Sequence, residues 1–259
     1  MDHLPDELIC CILRATDSVQ AMIALADTCH AIRSVWNNNL SFVGHAVLRE
    51  SVPSYNVARQ FVVAEQHNKS EGDEILTNAI LKRAQMAHLA LKLFETNLVA
   101  PWGRTPFFSI HRTSAPYMSR TERSRFLQAY HILRLLVWYH QNESWKTHQW
   151  QILRDMSIHT IFHVRDVAAF VSNVYNMDYR TRWRRQDSHV QLETERAWAR
   201  VDAQEKAWWE DADATIGAIL FGNEEMRSKM DKTVIGYPAG NPEGMFALFD
   251  ECQNDIREI

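Results

Sequence analysis

Two histidines with the spacing of a metal-binding pair lie in the segment SIHTIFHVRD, at positions 159 and 163. On a helix, this spacing places both imidazoles on one face, where they would share a metal ion with Asp155 or Asp166. The segment lacks the glutamate of the H-E-x-x-H zinc motif, because Thr and Ile follow His159. The chain contains 12 histidines, so one such pair is unsurprising, and we expect no metal site.

The run YRTRWRRQ (residues 179–186) interleaves basic and aromatic side chains, with Arg180, Arg182, Arg184 and Arg185 around Trp183. Such a run binds single-stranded nucleic acid through phosphate contacts and base stacking. It is more typical of a solvated face that pairs with acidic residues, and the acidic run ETERAWARVDAQEKAWWEDAD follows, whose Asp and Glu side chains cancel the local positive charge. A third possibility is contact with an acidic protein substrate. A net charge of −4 gives no general attraction for nucleic acid, so we favour the solvated face.

The remaining chemistry-bearing residues form no catalytic pattern. The four cysteines (Cys10, Cys11, Cys29 and Cys252) contain no C-x-x-C pair, which is typical of reduced intracellular thiols rather than a disulfide framework.

The sequence motifs of nucleophile elbows, P-loops and dinucleotide sites are absent from the sequence. No apolar run is long enough to cross a membrane, and no signal-peptide pattern begins the chain. We expect a non-catalytic cytoplasmic or nuclear protein without cofactors.

The composition predicts an all-α fold. Only 8 glycines and 7 prolines occur in 259 residues, and apolar residues make up 46%, which favours long helices around a sizeable core. Helical spacing predicts three short helices between Pro5 and Trp36, with Thr28 capping the third and a stop at Asn37-Asn38-Asn39. After a loop around Pro53, helical patterning resumes near Val57. These features predict an N-terminal domain at 1–45 and a helical domain at 57–259.

Within the larger domain, two helices have clear signatures. A helix from Glu74 to Leu98 has apolar residues at helical spacing on one face, namely Leu76, Ile80, Ala84, Ala87, Leu91, Phe94 and Leu98. The tetrapeptide SRTE at Ser119–Glu122 predicts a capping box that begins another helix. A short closing helix is expected in MFALFDECQNDI (residues 245–256).

The first helix is apolar on every side. All six residues from Leu8 to Leu13 are apolar, and at about 100° per residue they point around the whole circumference. A helix of this kind must be covered on every side, but forty residues alone form a marginal core. Either later helices of the chain or another polypeptide must therefore cover part of it.

The opening segment LPDELICCILRATDSVQAMIALADTCHAIRSVW resembles an F-box. The matching positions are Leu4, Pro5, Glu7, Leu8, Ile12, Leu13, Leu25, Ala26, Cys29, Ile32 and Trp36. The segments SRTERSRFLQAYHILRLLV and GYPAGNPEGMFALFDEC also resemble regions of fungal F-box-like proteins. The segment Ser18-Val19-Gln20 departs from the pattern, because an acidic residue often precedes the second helix of an F-box.

This resemblance implies a fold and a function. The fold would be a three-helix F-box followed by an irregular multi-helix domain that holds an unknown protein substrate. The protein would be the substrate-recognition subunit of an SCF-type ubiquitin ligase, binding a Skp-type adaptor and, through it, a cullin. The residues expected to contact the adaptor are Leu4, Pro5, Leu8, Ile9, Ile12 and Leu13. The alternative is a non-catalytic helical interaction protein that acts outside a ligase.

Overall fold

The computed structural model describes residues 4–16, 19–52, 55–65, 73–96, 118–176, 196, 199–201, 203–235, 248 and 256–258. Nearly all of these residues are helical, so the all-α prediction is confirmed. Backbone contacts divide the chain into two compact units, Met1–Gln85 and Met86–Ile259. Among the described helices, none is both long and apolar enough to cross a bilayer.

The first unit is a cluster of short helices. They are α1 (Asp6–Arg14), α2 (Val19–Ala26), α3 (His30–Asn38), α4 (Leu40–Ser51), α5 (Tyr55–Glu65) and the first part of α6 (Asp73–Phe94). α1 packs against α2, α3 and α4, and α4 also contacts α5. The shared core is aliphatic with one tryptophan, and includes Ile9, Leu13, Met22, Ile32, Val35, Trp36, Val43 and Leu48.

Helix α4 is missing from the sequence-based prediction. The Asn37–Asn39 run does not stop the chain, because α3 extends to Asn38 and α4 begins at Leu40. The side-chain amide of Asn39 donates to the Val35 carbonyl at 3.0 Å, while its own carbonyl accepts from the Val43 amide at 2.9 Å. One asparagine therefore satisfies the end of one helix and the start of the next.

The predicted domain boundaries do not match the structural division. Residue 45, the expected end of the first domain, lies inside α4, and the first unit extends to Gln85. The physical reason is that α4 buries Val43, Val47 and Leu48 in the same core as the first three helices. A cut at residue 45 would divide an α-helix and expose part of that core.

Two close contacts fix α6 within the first unit. Gly44 leaves so little space that a Cβ there would lie 2.6 Å from the Thr77 Cγ2 atom. The Arg83 guanidinium donates to both carboxylate oxygens of Glu65 at 2.8 Å, and it lies 5.2 Å from the Phe61 ring centroid. The close approach at Gly44 joins α4 to α6, and the ion pair between Arg83 and Glu65 joins α6 to α5.

The second unit is built around three long helices. Its described elements are the end of α6, α7 (Arg120–Gln141), a 3₁₀ turn (Glu143–Trp145), α8 (Lys146–Asp155), α9 (Ile158–Asn176), α10 (Ala203–Phe221), α11 (Glu224–Asp231), β1 (Thr233–Ile235) and β2 (Ile256–Glu258). α7, α9 and α10 pack against one another, α8 packs on α7, and α11 packs on α10. Their core is aromatic: the Phe94 ring lies 5.0 Å from Phe126 and 4.9 Å from Phe170.

Two predictions for helices in this part of the chain are confirmed. Ser119 caps α7: its hydroxyl accepts from the Glu122 amide at 3.2 Å, and the Glu122 carboxylate accepts from the Ser119 amide at 2.7 Å. On α6, the predicted apolar positions from Leu76 to Phe94 are buried. Leu98 lies outside the described residues.

The expected closing helix is corrected at its end. Ile256 begins β2, which pairs antiparallel with β1 through Ile235↔Ile256 and Thr233↔Glu258. A β-branched residue in extended backbone cannot also end a helix, so residues 245–256 are not one continuous helix. Most of that segment, the glycine-rich run 236–244 and residues 101–117 lie outside the described residues.

Candidate functional site

The residues at both ends of helix α1 stabilise it. Pro5 is the N-cap, and its carbonyl accepts from the Leu8 and Ile9 amides at 3.0 and 3.1 Å. The first turn carries Asp6 and Glu7, and the last turn carries Arg14. Each charge opposes the nearer end of the helix dipole, which stabilises a helix of only nine residues.

The two faces of α1 have different environments. Ile9, Cys10 and Leu13 are buried, with exposed fractions of 4%, 9% and 0%. On the other side of the helix lie Leu8 and Ile12, whose exposed fractions are 50% and 44%, and Leu4, just before the helix begins, is 38% exposed. We call these three residues the α1 stripe. The chain's own core covers one flank, and the other flank stays in solvent.

Burial divides the predicted docking set into two groups. Ile9 and Leu13 pack inside the first unit, so they cannot contact a partner unless that unit opens. They contribute to the stability of α1 rather than to its outer surface. Pro5 is exposed and adjoins the stripe at the start of α1. The residues available to a partner are therefore Leu4, Pro5, Leu8 and Ile12.

An aromatic residue borders the C-terminal end of the same helix. Phe42, on α4, has an exposed fraction of 59%. The Arg14 guanidinium lies over its ring, 4.7 Å from the centroid. A partner that covers α1 as far as its last turn would also reach this cation–π pair.

The cysteines near α1 differ in accessibility. Cys10 is buried and Cys11 is exposed. Burial raises the pKa of the Cys10 thiol, with the nearby Asp6 carboxylate acting in the same direction. Cys29 is the half-buried N-cap of α3, a role predicted for Thr28. The Thr28 hydroxyl donates to the Leu25 carbonyl at 2.7 Å and thus ends α2.

The sequence suggested two other sites, a histidine pair and an arginine cluster. His159 and His163 both lie on α9, where His163 is buried. Among the described residues, no group of three or more His, Cys, Asp or Glu side chains has the arrangement of a metal site. The arginines from Arg180 to Arg185 lie outside the described residues.

The second unit contains a buried polar network that no sequence motif indicated. The Tyr130 hydroxyl donates to Glu205 at 2.5 Å and accepts from the Trp209 indole at 3.0 Å. Arg134 lies 3.4 Å from the Glu205 carboxylate, and its guanidinium lies 4.8 Å from the Trp208 ring centroid. Burial, followed by the charge of Glu205, raises the pKa of Tyr130 well above its ordinary value. The network links α7 to α10 away from solvent.

Glu205 belongs to the acidic run expected to form a solvated face. Its side chain is instead wholly buried, and it pairs with Arg134, 71 positions earlier in the sequence. Burial of an ionised carboxylate is tolerated only when charged and hydrogen-bonding partners surround it. This part of the run therefore stabilises the core.

No family model matches the chain, and comparisons with curated proteins and with solved structures gave no match.

Proposed function

We propose that this protein is the substrate-recognition subunit of an SCF-type ubiquitin ligase. Its first three helices would form an F-box that docks on a Skp-type adaptor. The observation that supports the proposal is the α1 stripe, an apolar row that the chain leaves exposed on the helix where the F-box resemblance is strongest. A short helix with one flank in the core and one apolar flank in solvent suits a partner-binding role.

The energetics indicate how large the contact must be. Complete burial of a Leu or Ile side chain contributes roughly 1.5–3 kcal/mol, and each stripe residue is already about half buried. The stripe therefore adds about 1 kcal/mol per residue, or about 3 kcal/mol in total. Association costs about 4–15 kcal/mol, so the adaptor must also contact surface beyond the stripe.

Phe42 and Pro5 are the additional contacts that we propose. Both are exposed, and they lie near opposite ends of α1. An aromatic side chain offers about 150–250 Å² when it is fully buried, and Phe42 is 59% exposed. Covering the exposed part would bury roughly 90–150 Å² more, or about 2–4 kcal/mol. In this proposal, the interface extends onto α4, beyond the three helices of the F-box unit.

The second unit would hold the substrate. The protein would then act without bond chemistry, because it raises the effective concentration of a substrate lysine near the ubiquitin-loaded enzyme that the cullin brings. Co-purification tests this role. The tagged protein should recover both a Skp-type adaptor and a cullin, and a Leu8→Glu/Ile12→Glu variant should recover neither. Recovery of the adaptor without cullin would favour the alternative of an interaction protein outside a ligase.

A further inference from the structure

Four side chains that can donate hydrogen bonds come together where α4 meets α5. His45 and Arg49 are four residues apart on α4, and Tyr55 and Arg59 are four residues apart on α5. Side chains at this spacing share one face of a helix. The two faces meet, because His45 Nδ1 lies 2.5 Å from the Tyr55 hydroxyl oxygen and the two rings pack edge-on at 6.2 Å. We call these four residues the α4–α5 cluster.

The two arginines bring positive charge to the same point of this cluster. Burial raises the pKa of Tyr55, and the charges of Arg59 and Arg49 act in the opposite direction, so both guanidiniums lie near the phenol. Both arginines are exposed, and in the part of the chain that the structure describes neither forms an ion pair with a carboxylate. Like charges that approach without an acidic neighbour repel each other, and a bound anion removes that repulsion.

The stability of the two helices does not account for this placement. Arg49 lies in the last turn of α4, where a positive charge opposes the helix dipole. Arg59 has no such role, because it lies in the first half of α5. The acidic residues of these helices are engaged or directed elsewhere: Glu65 pairs with Arg83, and Glu50 directly follows Arg49, so the two side chains do not face each other.

The distribution of charge indicates the size of the anion. His45, Arg49 and Arg59 are all the basic residues of α4 and α5, so the positive charge of these helices is concentrated at one point. A membrane surface or a nucleic-acid backbone requires basic residues over a wider area, and the net charge of −4 adds no general attraction for either. Two guanidinium groups match a single phosphate group, which carries a charge of about −1.5 to −2 at neutral pH.

We infer that the α4–α5 cluster binds the phosphate group of a phosphorylated serine or threonine in a peptide segment of another protein. Arg49 and Arg59 would donate to the phosphate oxygens, while the hydrogen bond between His45 and Tyr55 holds the two helices at a fixed separation. Because both arginines are exposed, a phosphate carried on a peptide can reach them. The site belongs to the first unit and needs neither adaptor nor cullin, so the inference goes beyond the proposed function and does not depend on it.

Fluorescence anisotropy on the full chain tests the inference, with end-capped rhodamine-labelled peptides of the sequence Gly-Ala-X-Ala-Gly. The peptide with X = phosphoserine should bind at least about tenfold more tightly than the peptide with X = Ser, because only the phosphate forms charge-assisted hydrogen bonds with two guanidiniums. Inorganic phosphate should displace the phosphoserine peptide, because the phosphate group is the part that the cluster recognises.

Two pairs of substitutions at exposed arginines make the test specific. Arg49→Gln/Arg59→Gln should weaken binding of the phosphoserine peptide at least about tenfold. Arg120→Gln/Arg227→Gln makes the same change of charge at exposed positions of α7 and α11, and this variant should bind like the unmodified chain. Equal binding of the phosphoserine and serine peptides, or undiminished binding by Arg49→Gln/Arg59→Gln, would overturn the inference.

The same variants distinguish a phosphopeptide from larger anions. Phosphatidylserine vesicles in a cosedimentation assay, and a labelled single-stranded oligonucleotide in the anisotropy assay, should bind more weakly than the phosphoserine peptide. Tighter binding of either one that Arg49→Gln/Arg59→Gln abolishes would overturn the inference in favour of a membrane or a nucleic acid. Co-purification measures adaptor binding separately, so the two proposals can fail independently.

Discussion

The buried network around Tyr130 gives the sharpest prediction about stability. Tyr130→Phe removes one oxygen that makes two hydrogen bonds, donating to Glu205 at 2.5 Å and accepting from Trp209 at 3.0 Å. All three side chains are at most 2% exposed, so water cannot replace the missing hydroxyl. The substitution leaves the volume of the core almost unchanged, and its cost is therefore mainly that of the two lost bonds.

The magnitude follows from the two partners. A hydrogen bond to a charged group contributes about 1.5–3 kcal/mol, and a buried indole N–H left without an acceptor costs about 1–3 kcal/mol. Tyr130→Phe should therefore lower the free energy of unfolding by about 3–5 kcal/mol. Urea unfolding followed by tryptophan fluorescence measures this loss, because Trp208 and Trp209 adjoin Tyr130.

A second tyrosine on α7 supplies the control. Tyr139 is also buried, but no hydrogen bond of its hydroxyl is found among the described residues, and its ring stacks on Trp145 at 5.6 Å. Tyr139→Phe should cost less than about 1 kcal/mol. If Tyr130→Phe were no more destabilising than Tyr139→Phe, the two hydrogen bonds of the Tyr130 hydroxyl would not stabilise the fold as expected.

Further predictions concern two glycines and a histidine. Gly44→Ala should destabilise the chain by about 1–3 kcal/mol in thermal unfolding because the new Cβ meets Thr77, whereas Gly217→Ala, with nothing within 4 Å, should stabilise it by about 0.5–1 kcal/mol. Burial, with a contribution from His88, lowers the pKa of His131 from 6.5 to about 4. The neutral ring is thus favoured in the fold, so stability is complete above pH 6.5 and falls towards pH 4. A urea titration across that range should show a shallower decline for His131→Gln.

Local patterns in the sequence were sufficient for features that depend on neighbouring residues. The capping box at Ser119 and Glu122 needs only a spacing of three, and the buried face of α6 needs only helical periodicity. Both were predicted correctly. The presence of apolar residues on more than one side of α1 also followed from six consecutive apolar residues.

Features that depend on distant residues were not predictable in this way. Which flank of α1 the core covers depends on α3 and α4, so Ile9 and Leu13 could not be separated from Leu8 and Ile12 by composition. The burial of Glu205 depends on Arg134, far away along the chain, and a run of acidic residues is normally solvated.

The most direct test of the account is the affinity of the purified chain for a purified Skp-type adaptor, measured by isothermal titration calorimetry. Leu8→Glu/Ile12→Glu places two carboxylates in the α1 stripe, and Val63→Glu places one on an exposed apolar position of α5. We predict binding by the unmodified chain, a loss of at least about 100-fold, or about 2.7 kcal/mol, for the double variant, and unchanged binding for Val63→Glu. Absence of binding by the unmodified chain, or equal affinity for all three proteins, would contradict the proposed docking face.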